Sequence, residues 1–222
     1  MPRPRNTVTR ESLLAHGLQF ASHRGLAAVS IAPIAAQAGI KKSSFFTHFP
    51  TKESLQIALL DTAAFRFRET VLVPATHERA GRRRLRRVFE LWMGWTTRAG
   101  LTGDIFVAAA NELDDMPGPV RDHLVSLQEF WIQGLVGLVQ EAVEIGELPE
   151  DTDPRQVTFE VTGLYLAHQA TKRLLRDDSA DARGLGAFDR LLDSPPRRSP
   201  KPSDQRKKSP RQVKSRSSKQ QR

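Results

Sequence analysis

The side chains with the clearest chemical potential stand close together in residues 30–55. Lysines and a histidine alternate there with small hydroxyl side chains, and no acidic residue occurs before Glu53. Ammonium groups and hydroxyls of this kind bind phosphate oxygens and the polar edges of bases. The candidates for such contacts, with one aromatic residue that lies among them, are Ser30, Lys41, Lys42, Ser43, Ser44, Phe46, Thr47, His48 and Lys52.

Two short helices must present these side chains. Apolar residues at helical spacing predict a first helix that Ser30 is expected to cap and that carries Pro33 in its first turn. Gly39 can adopt a positive φ, and the second helix is predicted to run from residue 41 to residue 49. Thr51 is expected to cap a third helix, and Lys52 lies where it could meet a phosphate beside that helix end. With a preceding helix over about residues 9–23, this arrangement is typical of a helix-turn-helix.

The segment IAPIAAQAGIKKSSFFTHFPTKESL resembles the DNA-binding domain of the TetR family of bacterial transcriptional regulators. That domain usually reads IA-x-x-AGVS-x-G-x-x-Y-x-H-F-x-x-K-x-x-L. The chain keeps this register at Ile34, Ala35, Ala38, Gly39, His48, Phe49, Lys52 and Leu55. The resemblance implies a homodimer that binds a palindromic operator in double-stranded DNA. It also implies a repressor that a small-molecule effector of unknown identity releases from that operator.

Three residues depart from the family's pattern. Lys41 stands where the second helix normally has a capping Ser or Thr, Ser43 where Gly is usual, and Phe46 where Tyr is usual. In the family the tyrosine hydroxyl touches a phosphate, which a phenylalanine cannot do. We hypothesise that the charge of Lys41 restores the affinity that is lost at Phe46.

The charge of the chain is unevenly distributed. The net charge is +9, but residues 194–222 carry +10, residues 1–55 carry +5 and residues 56–193 carry −6. Within the folded part, the basic end therefore coincides with the helix-turn-helix, which suits a nucleic-acid contact at that end. The chain has no cysteine, no apolar run of about 18 residues and no apolar leader, so we expect a cytoplasmic protein that does not enter a membrane.

Helical periodicity continues beyond residue 55. We predict that Pro74 stops the third helix and that further helices cover about residues 81–98, 104–112, 120–145, 154–176 and 180–192. The predicted fold class is all-α, with about nine helices in a three-helix DNA-binding domain and a helical ligand-binding and dimerisation domain. The predicted boundaries are 1–55 for the DNA-binding domain, 56–193 for the regulatory domain and 194–222 for a disordered basic tail. By the resemblance, the last two helices of each protomer build a four-helix dimer interface.

The effector pocket is predicted among aromatic and polar side chains of the regulatory domain. Such pockets are mostly apolar with a few orienting polar groups. Core packing explains each aromatic residue better than ligand contact does, and His168 on an apolar stripe fits a hydrogen-bonded core histidine better than a ligand sensor. The candidates are Trp92, Trp95, Phe106, Glu112, Gln128, Trp131, Tyr165 and His168, and Phe130 and Phe159 add aromatic surface.

Other function classes fit the sequence less well. An architectural or general nucleic-acid-binding protein would use the basic tail, but it would not explain an aromatic-rich helical body. We expect no enzymatic activity, cofactor or metal, since the six histidines show no metal-ligand spacing on one helix and no glycine-rich phosphate loop or Ser, His and acid set is suggested. The arginine cluster at residues 82–87 could form a DNA patch, but ion pairs with acidic neighbours are expected.

Overall fold

The computed structural model describes residues 9–198, and every regular element in this range is a helix. The predicted all-α fold is confirmed for these residues. The nine helices that follow one another in the described range are α1 (Arg10–Arg24), α2 (Ile31–Gln37), α3 (Lys42–Phe46), α4 (Lys52–Phe67, continued by a π-helical turn Arg68–Leu72 and a last turn Val73–Ala75), α5 (Arg82–Met93, continued by Trp95–Arg98), α6 (Ile105–Leu113), α7 (Pro119–Glu144), α8 (Pro154–Gln169, continued by a π-helical turn Ala170–Leu174) and α9 (Ala180–Asp193).

The first three helices pack against the start of α4. Thr9 and Thr51 cap α1 and α4, because each side chain accepts a hydrogen bond from the backbone N–H three residues later, at 3.2 and 3.0 Å. The cap expected at Thr51 is therefore confirmed. Gly17 allows a close approach of α1 to α4, since a Cβ at this position would lie 2.9 Å from Cδ2 of Leu59.

The helices from α5 to α9 form a second bundle. α8 packs against α5, α7 and α9, and the rings of Phe89 on α5 and Phe188 on α9 stack with their centroids 4.6 Å apart. α4 belongs to both groups, because it packs on α1 and also on α6 and α7. A displacement within the second bundle can therefore move the first three helices through α4.

α4 ends at Ala75, one residue after the stop that was predicted at Pro74. The helix widens into the π-helical turn Arg68–Leu72, in which the N–H of Val73 bonds to the carbonyl of Arg68, and Pro74 then lies in the last turn Val73–Ala75. A proline lacks the N–H that a regular helix needs and clashes with the carbonyl four residues earlier. The π-helical turn changes the hydrogen-bond register just before the proline, so the chain stays helical.

α3 is shorter than predicted, and α5 is interrupted within its predicted range. α3 ends at Phe46 instead of residue 49, although the N–H groups of His48 and Phe49 still bond to the carbonyl of Phe45 at 3.0 and 3.1 Å. α5 is interrupted at Gly94, where φ is −103°. The guanidinium of Arg98 folds back there onto the carbonyl of Leu91 at 3.0 Å, and a Cβ at Gly94 would lie 2.3 Å from its Nη1.

Residues 194–198 are packed onto the fold, although the sequence predicts a disordered tail from residue 194. Arg197 forms an isolated antiparallel bridge with Thr152, and the carbonyl of Pro196 accepts from the N–H of Asp153 at 2.8 Å. Pro195 is buried. Backbone hydrogen bonds to the loop before α8 therefore hold a segment whose composition indicates disorder. The remainder of the predicted tail, residues 199–222, lies outside the described residues.

Four of the five arginines at the start of α5 form ion pairs, as expected. Three of the four pairs join α5 to α7 or α9, and their N–O distances range from 2.6 to 3.2 Å. The pairs are Arg82 with Asp193, Arg84 with Glu141, Arg86 with Asp189, and Arg87 with Glu90.

Candidate nucleic-acid interface and regulatory core

α2 and α3 form the helix-turn-helix. Gly39 lies between them with a φ of +69°, and the N–H of Ile40 bonds to the carbonyl of Ala35 at 3.0 Å. Phe45 and Phe49 are buried beneath α3, with ring centroids 5.4 Å apart. These two rings anchor α3, so that its other side faces solvent.

The predicted contact residues around α3 lie mostly on this outer side. Lys41, Ser43 and Thr47 are exposed, and His48 is half-buried. Phe46 is 42% exposed, so it belongs to the outer side and not to the buried anchor. The backbone of Lys42 and Ser44 is part of α3, but their side chains lie outside the described part of the structure.

The side chain of Ser30 does not cap α2 as expected, and Lys52 makes a contact within the chain that was not predicted. Ser30 occupies the N-cap position of α2, but its side chain makes no capping hydrogen bond there. The Nζ of Lys52 donates to the carbonyl of Ala27 at 2.7 Å. Lys52 therefore links the start of α4 to the turn between α1 and α2. The sequence motif does not reveal this contact.

Five of the eight predicted pocket residues meet in one aromatic cluster. The rings of Trp92 and Tyr165 stack with centroids 4.0 Å apart, and Trp131 meets Trp92 edge-on at 4.9 Å. Trp95 lies beside Phe106, with centroids 5.9 Å apart. Since stacked rings at this distance are in van der Waals contact, nothing can enter between Trp92 and Tyr165 unless they separate.

Asp104 supplies the polar centre of this cluster. Its Oδ2 accepts from the indole N–H of Trp95 at 2.9 Å and from the hydroxyl of Tyr165. Its Oδ1 accepts from the N–H groups of Phe106 and Val107 at 2.9 and 3.3 Å, which makes Asp104 the N-cap of α6. Four neutral donors thus compensate a carboxylate that is almost fully buried.

This environment changes the acidity of Tyr165. Burial, the charge of Asp104 and the hydrogen bond to Asp104 together raise the pKa of Tyr165 well above its ordinary value of 10.0. Tyr165 therefore remains a neutral hydrogen-bond donor across the physiological pH range. Its hydroxyl ties α8 to the first residue before α6.

The other three pocket candidates do not belong to the cluster. The carboxylate of Glu112 accepts from the backbone N–H of Ala27 at 2.7 Å, so it lies at the turn between α1 and α2. His168 is buried, and its Nε2 lies 2.7 Å from Oδ1 of Asp181 on α9. Lys172 and then His168 hold the pKa of Asp181 below its usual range. Gln128 is half-buried on α7, one turn before Trp131.

Two aromatic residues of the predicted pocket region lie at the surface. Phe130 on α7 is 77% exposed and Phe159 on α8 is 73% exposed. Helical periodicity places them on their helices but does not reveal which face is covered, because that depends on neighbouring helices.

Sequence reasoning missed Asp104 and Phe67. Phe67 packs edge-on against Trp95 and Trp131, with centroids 5.4 and 4.9 Å apart, and so brings α4 into the cluster. Asp104 directly precedes an apolar helical run, which is an N-cap signal that could have singled it out. Its burial against α8 has no comparable signal in the sequence.

Residues 9–198 contain no group of three or more His, Asp or Glu side chains arranged to hold a metal ion. No helix among them is long and apolar enough to cross a membrane.

Known families match both parts of the chain. Residues 13–59 match the family described as bacterial regulatory proteins, tetR family, and residues 81–188 match the tetracyclin repressor-like, C-terminal domain. The chain is 27% identical over 157 residues to the transcriptional regulator AcuR of Cereibacter sphaeroides, which covers 68% of this chain and 70% of AcuR. It is 28% identical over 141 residues to the HTH-type transcriptional repressor NemR of Escherichia coli, which covers 62% of this chain and 68% of NemR.

Solved structures share the fold. A TetR transcriptional regulator from Chloroflexus aurantiacus superposes with a TM-score of 0.76 at 20% identity, over 83% of this chain and 94% of that one. AibR, solved in complex with isovaleryl coenzyme A and operator DNA, superposes with a TM-score of 0.65 at 19% identity, over 82% of this chain and 97% of AibR. The family matches agree with the observed helix-turn-helix and with the nine helices of residues 9–198. The chain belongs to the TetR family of bacterial transcriptional regulators.

Proposed function

We propose that the chain is a homodimeric repressor that binds a palindromic operator and leaves it when a small molecule binds the regulatory domain. The observation that carries this proposal is the course of α4. This helix begins beside the helix-turn-helix, where Lys52 holds Ala27, and reaches the aromatic cluster, where Phe67 contacts Trp95 and Trp131. A rearrangement of the cluster therefore displaces the helix that supports α2 and α3.

The DNA contacts are proposed on the outer side of α3 and its flanks. Lys41 and His48 offer charge or hydrogen bonds to phosphates, while Ser43 and Thr47 are short enough to approach base edges. Lys42, Ser44, Phe46 and Ser30 complete the proposed face. We propose residues 1–55 as the DNA-binding domain and residues 56–193 as the regulatory domain.

The dimer is proposed to form through α8 and α9. Phe159, Leu166 and Leu174 are 73%, 48% and 79% exposed, and they recur with Gly163 at helical spacing along α8. A groove of about 460 Å³ runs between α8 and α9 beside this stripe, with Ala187 on its α9 side. Monomeric proteins rarely expose a continuous apolar stripe, and a two-fold interface would bury it against its own copy.

The effector is proposed to bind by opening the aromatic cluster. The indole N–H of Trp131 is buried and donates to no acceptor among the described residues, so a ligand with an acceptor oxygen would satisfy it. The chain contains no cysteine, so the effector is not sensed by thiol modification. AibR was solved with an acyl coenzyme A, which makes acyl thioesters a reasonable first set to screen.

Nuclease footprinting on a library of genomic fragments tests the proposed function. A repressor is expected to protect a short palindrome in a few fragments, at concentrations that leave most fragments unprotected. Protection that spreads over any fragment without a preferred sequence would contradict the proposal and favour the architectural alternative.

The basic tail can be tested separately. Residues 199–222 hold nine Lys and Arg and one Asp. If they contact DNA, their deletion lowers the salt slope of non-specific binding while the preference between operators hardly changes. An unchanged slope would assign the tail no part in DNA binding. The deletion begins at residue 199 because residues 194–198 are part of the fold.

A further inference from the structure

The turn between α1 and α2 is held by side chains from two directions. From α4, the Nζ of Lys52 donates to the carbonyl of Ala27 at 2.7 Å, and the Nε2 of Gln56 donates to the carbonyl of Leu26 at 2.8 Å. From α6, the carboxylate of Glu112 accepts from the N–H of Ala27 at 2.7 Å. Both backbone groups of Ala27 are therefore held by long-range side-chain contacts, one from each part of the molecule.

Gly25 is matched to Glu112. Its φ is +89°, and a Cβ at this position would lie 1.9 Å from Oε1 of Glu112. The carboxylate thus occupies the space in which any other residue would carry its side chain. The backbone conformation and the close approach both require glycine here, so the turn and Glu112 fit each other.

The loop before α6 also contacts α1. The N–H of Thr102 donates to the hydroxyl of Ser22 at 3.3 Å, and a Cβ at Gly103 would lie 2.3 Å from the carbonyl oxygen of Ser22. The side chain of Gln19 donates to the carbonyl of Gly100. α6 and the loop before it therefore meet the DNA-binding domain at two separated points, with Asp104 between them as the cap of α6.

We propose that Glu112 is a positioning residue that fixes the orientation of the helix-turn-helix relative to the regulatory domain. A hydrogen bond to a carboxylate is stronger than one between neutral groups. At the other end of α6, Asp104 caps the helix and accepts hydrogen bonds from the aromatic cluster. The Glu112 contact reaches the turn from α6, in addition to the contacts that Lys52 and Gln56 make from α4. The inference rests on the proposed function only through the measurement of operator affinity, since the orientation can be measured without DNA.

A distance measurement tests the orientation directly. Because the chain has no cysteine, Gln37→Cys on α2 and Glu144→Cys at the end of α7 introduce two unique sites for spin labels, and both positions are exposed. Labelled chain diluted into excess unlabelled chain gives the distance within one chain by pulsed electron resonance. The distribution is expected to be narrow in the parent and broader or shifted in Glu112→Ala.

Two further variants separate positioning from other effects. Glu112→Gln keeps an acceptor oxygen and is expected to restore most of the parent distribution. Asp115→Ala removes a negative charge from an exposed side chain three residues after Glu112. This variant is expected to leave the distance distribution unchanged. Operator affinity, measured with unlabelled chains, is expected to fall about tenfold in Glu112→Ala and to change little in Asp115→Ala.

The distance distribution decides the proposal. A distribution in folded Glu112→Ala that matches the parent would overturn it, whatever the DNA-binding result. A broadened distribution with unchanged operator affinity would overturn the claim that this orientation serves DNA binding. Circular dichroism and thermal unfolding confirm that each variant is folded before its distances are compared.

Discussion

At the scale of single residues, Lys41 is the side chain from which the proposed DNA contacts can best be tested. It holds the N-cap position of α3 with extended backbone, is exposed, and makes no side-chain capping hydrogen bond. A serine or threonine in this position would cap the helix but bring no charge. The hypothesis is therefore that the chain gains a phosphate contact at the expense of a cap.

Lys41→Ser is expected to weaken operator binding and to reduce the slope of log K against log salt by about 0.9, which is the share of one phosphate contact. Fluorescence anisotropy at several salt concentrations gives both values. Arg83→Ser is the matched control, since it removes the same charge from an exposed position on α5. Phe46→Tyr is expected to raise affinity. An unchanged slope in Lys41→Ser rules out the phosphate contact.

Tyr165 provides a second test at this scale, because it is the single tyrosine of the chain. Its raised pKa means that the folded state holds the phenolic proton more tightly than the unfolded state does. The resulting stabilisation is fully present below the unfolded pKa of about 10 and is lost as pH rises above it towards the folded value. We expect no tyrosinate absorbance in the folded protein near pH 10.

Ultraviolet absorbance during an alkaline titration checks this expectation. In guanidinium the chain is expected to show tyrosinate near pH 10, whereas the native chain is expected to show it only together with unfolding. If tyrosinate absorbance appears near pH 10 while the circular dichroism stays native, the hydroxyl of Tyr165 is not buried in a hydrogen bond to Asp104. That result would contradict the raised pKa.

At the scale of elements, the arginine cluster of residues 82–87 joins helices through ion pairs, and we expect it to take no part in DNA binding. A hydrogen bond to Asp189 raises the pKa of Arg86, and hydrogen bonds from the backbone of Arg82 and the side chain of Arg79 lower the pKa of Glu147. These contacts connect α5 to α9 and to the end of α7. Because the pairs are largely exposed, each one stabilises the fold only modestly.

A double-mutant cycle with Arg86→Ala and Asp189→Ala is expected to give a coupling of about 0.2–1 kcal/mol in urea unfolding. Arg86→Ala is also expected to leave the salt slope of DNA binding at the parent value. If the salt slope of DNA binding falls in Arg86→Ala as it does in Lys41→Ser, the arginine cluster contacts DNA.

The helices differ in how much of them the sequence predicts. Periodicity predicts all nine, because each buries an apolar face. It does not predict that α4 passes Pro74 through a π-helical turn, or that Arg98 folds back at Gly94, since both depend on contacts within the finished fold. The same limit applies to the site. Aromatic character predicts five members of the cluster, but the positions of Asp104 and Glu112 are decided by helices that are distant in sequence.

At the scale of the whole molecule, the exposed stripe on α8 predicts a dimer. Leu166→Lys is expected to convert the dimer to a monomer, because a charge buried against its own copy cannot find a partner. Light scattering at micromolar concentration measures the mass. Met116→Lys, at a residue that is 58% exposed before α7, is the control and is expected to remain dimeric. A parent chain that is monomeric yet binds a palindrome tightly would contradict the proposed assembly.

Selection of bound DNA from a random pool tests the central claim most directly, because one experiment reports specificity and symmetry together. For a two-fold dimer that reads one face of B-DNA, we expect an enriched palindrome whose half-sites lie about 34–36 Å, or a multiple of that distance, apart. A pool that yields no enriched sequence, or a single site without two-fold symmetry, would contradict the account of this chain as a dimeric operator-binding repressor.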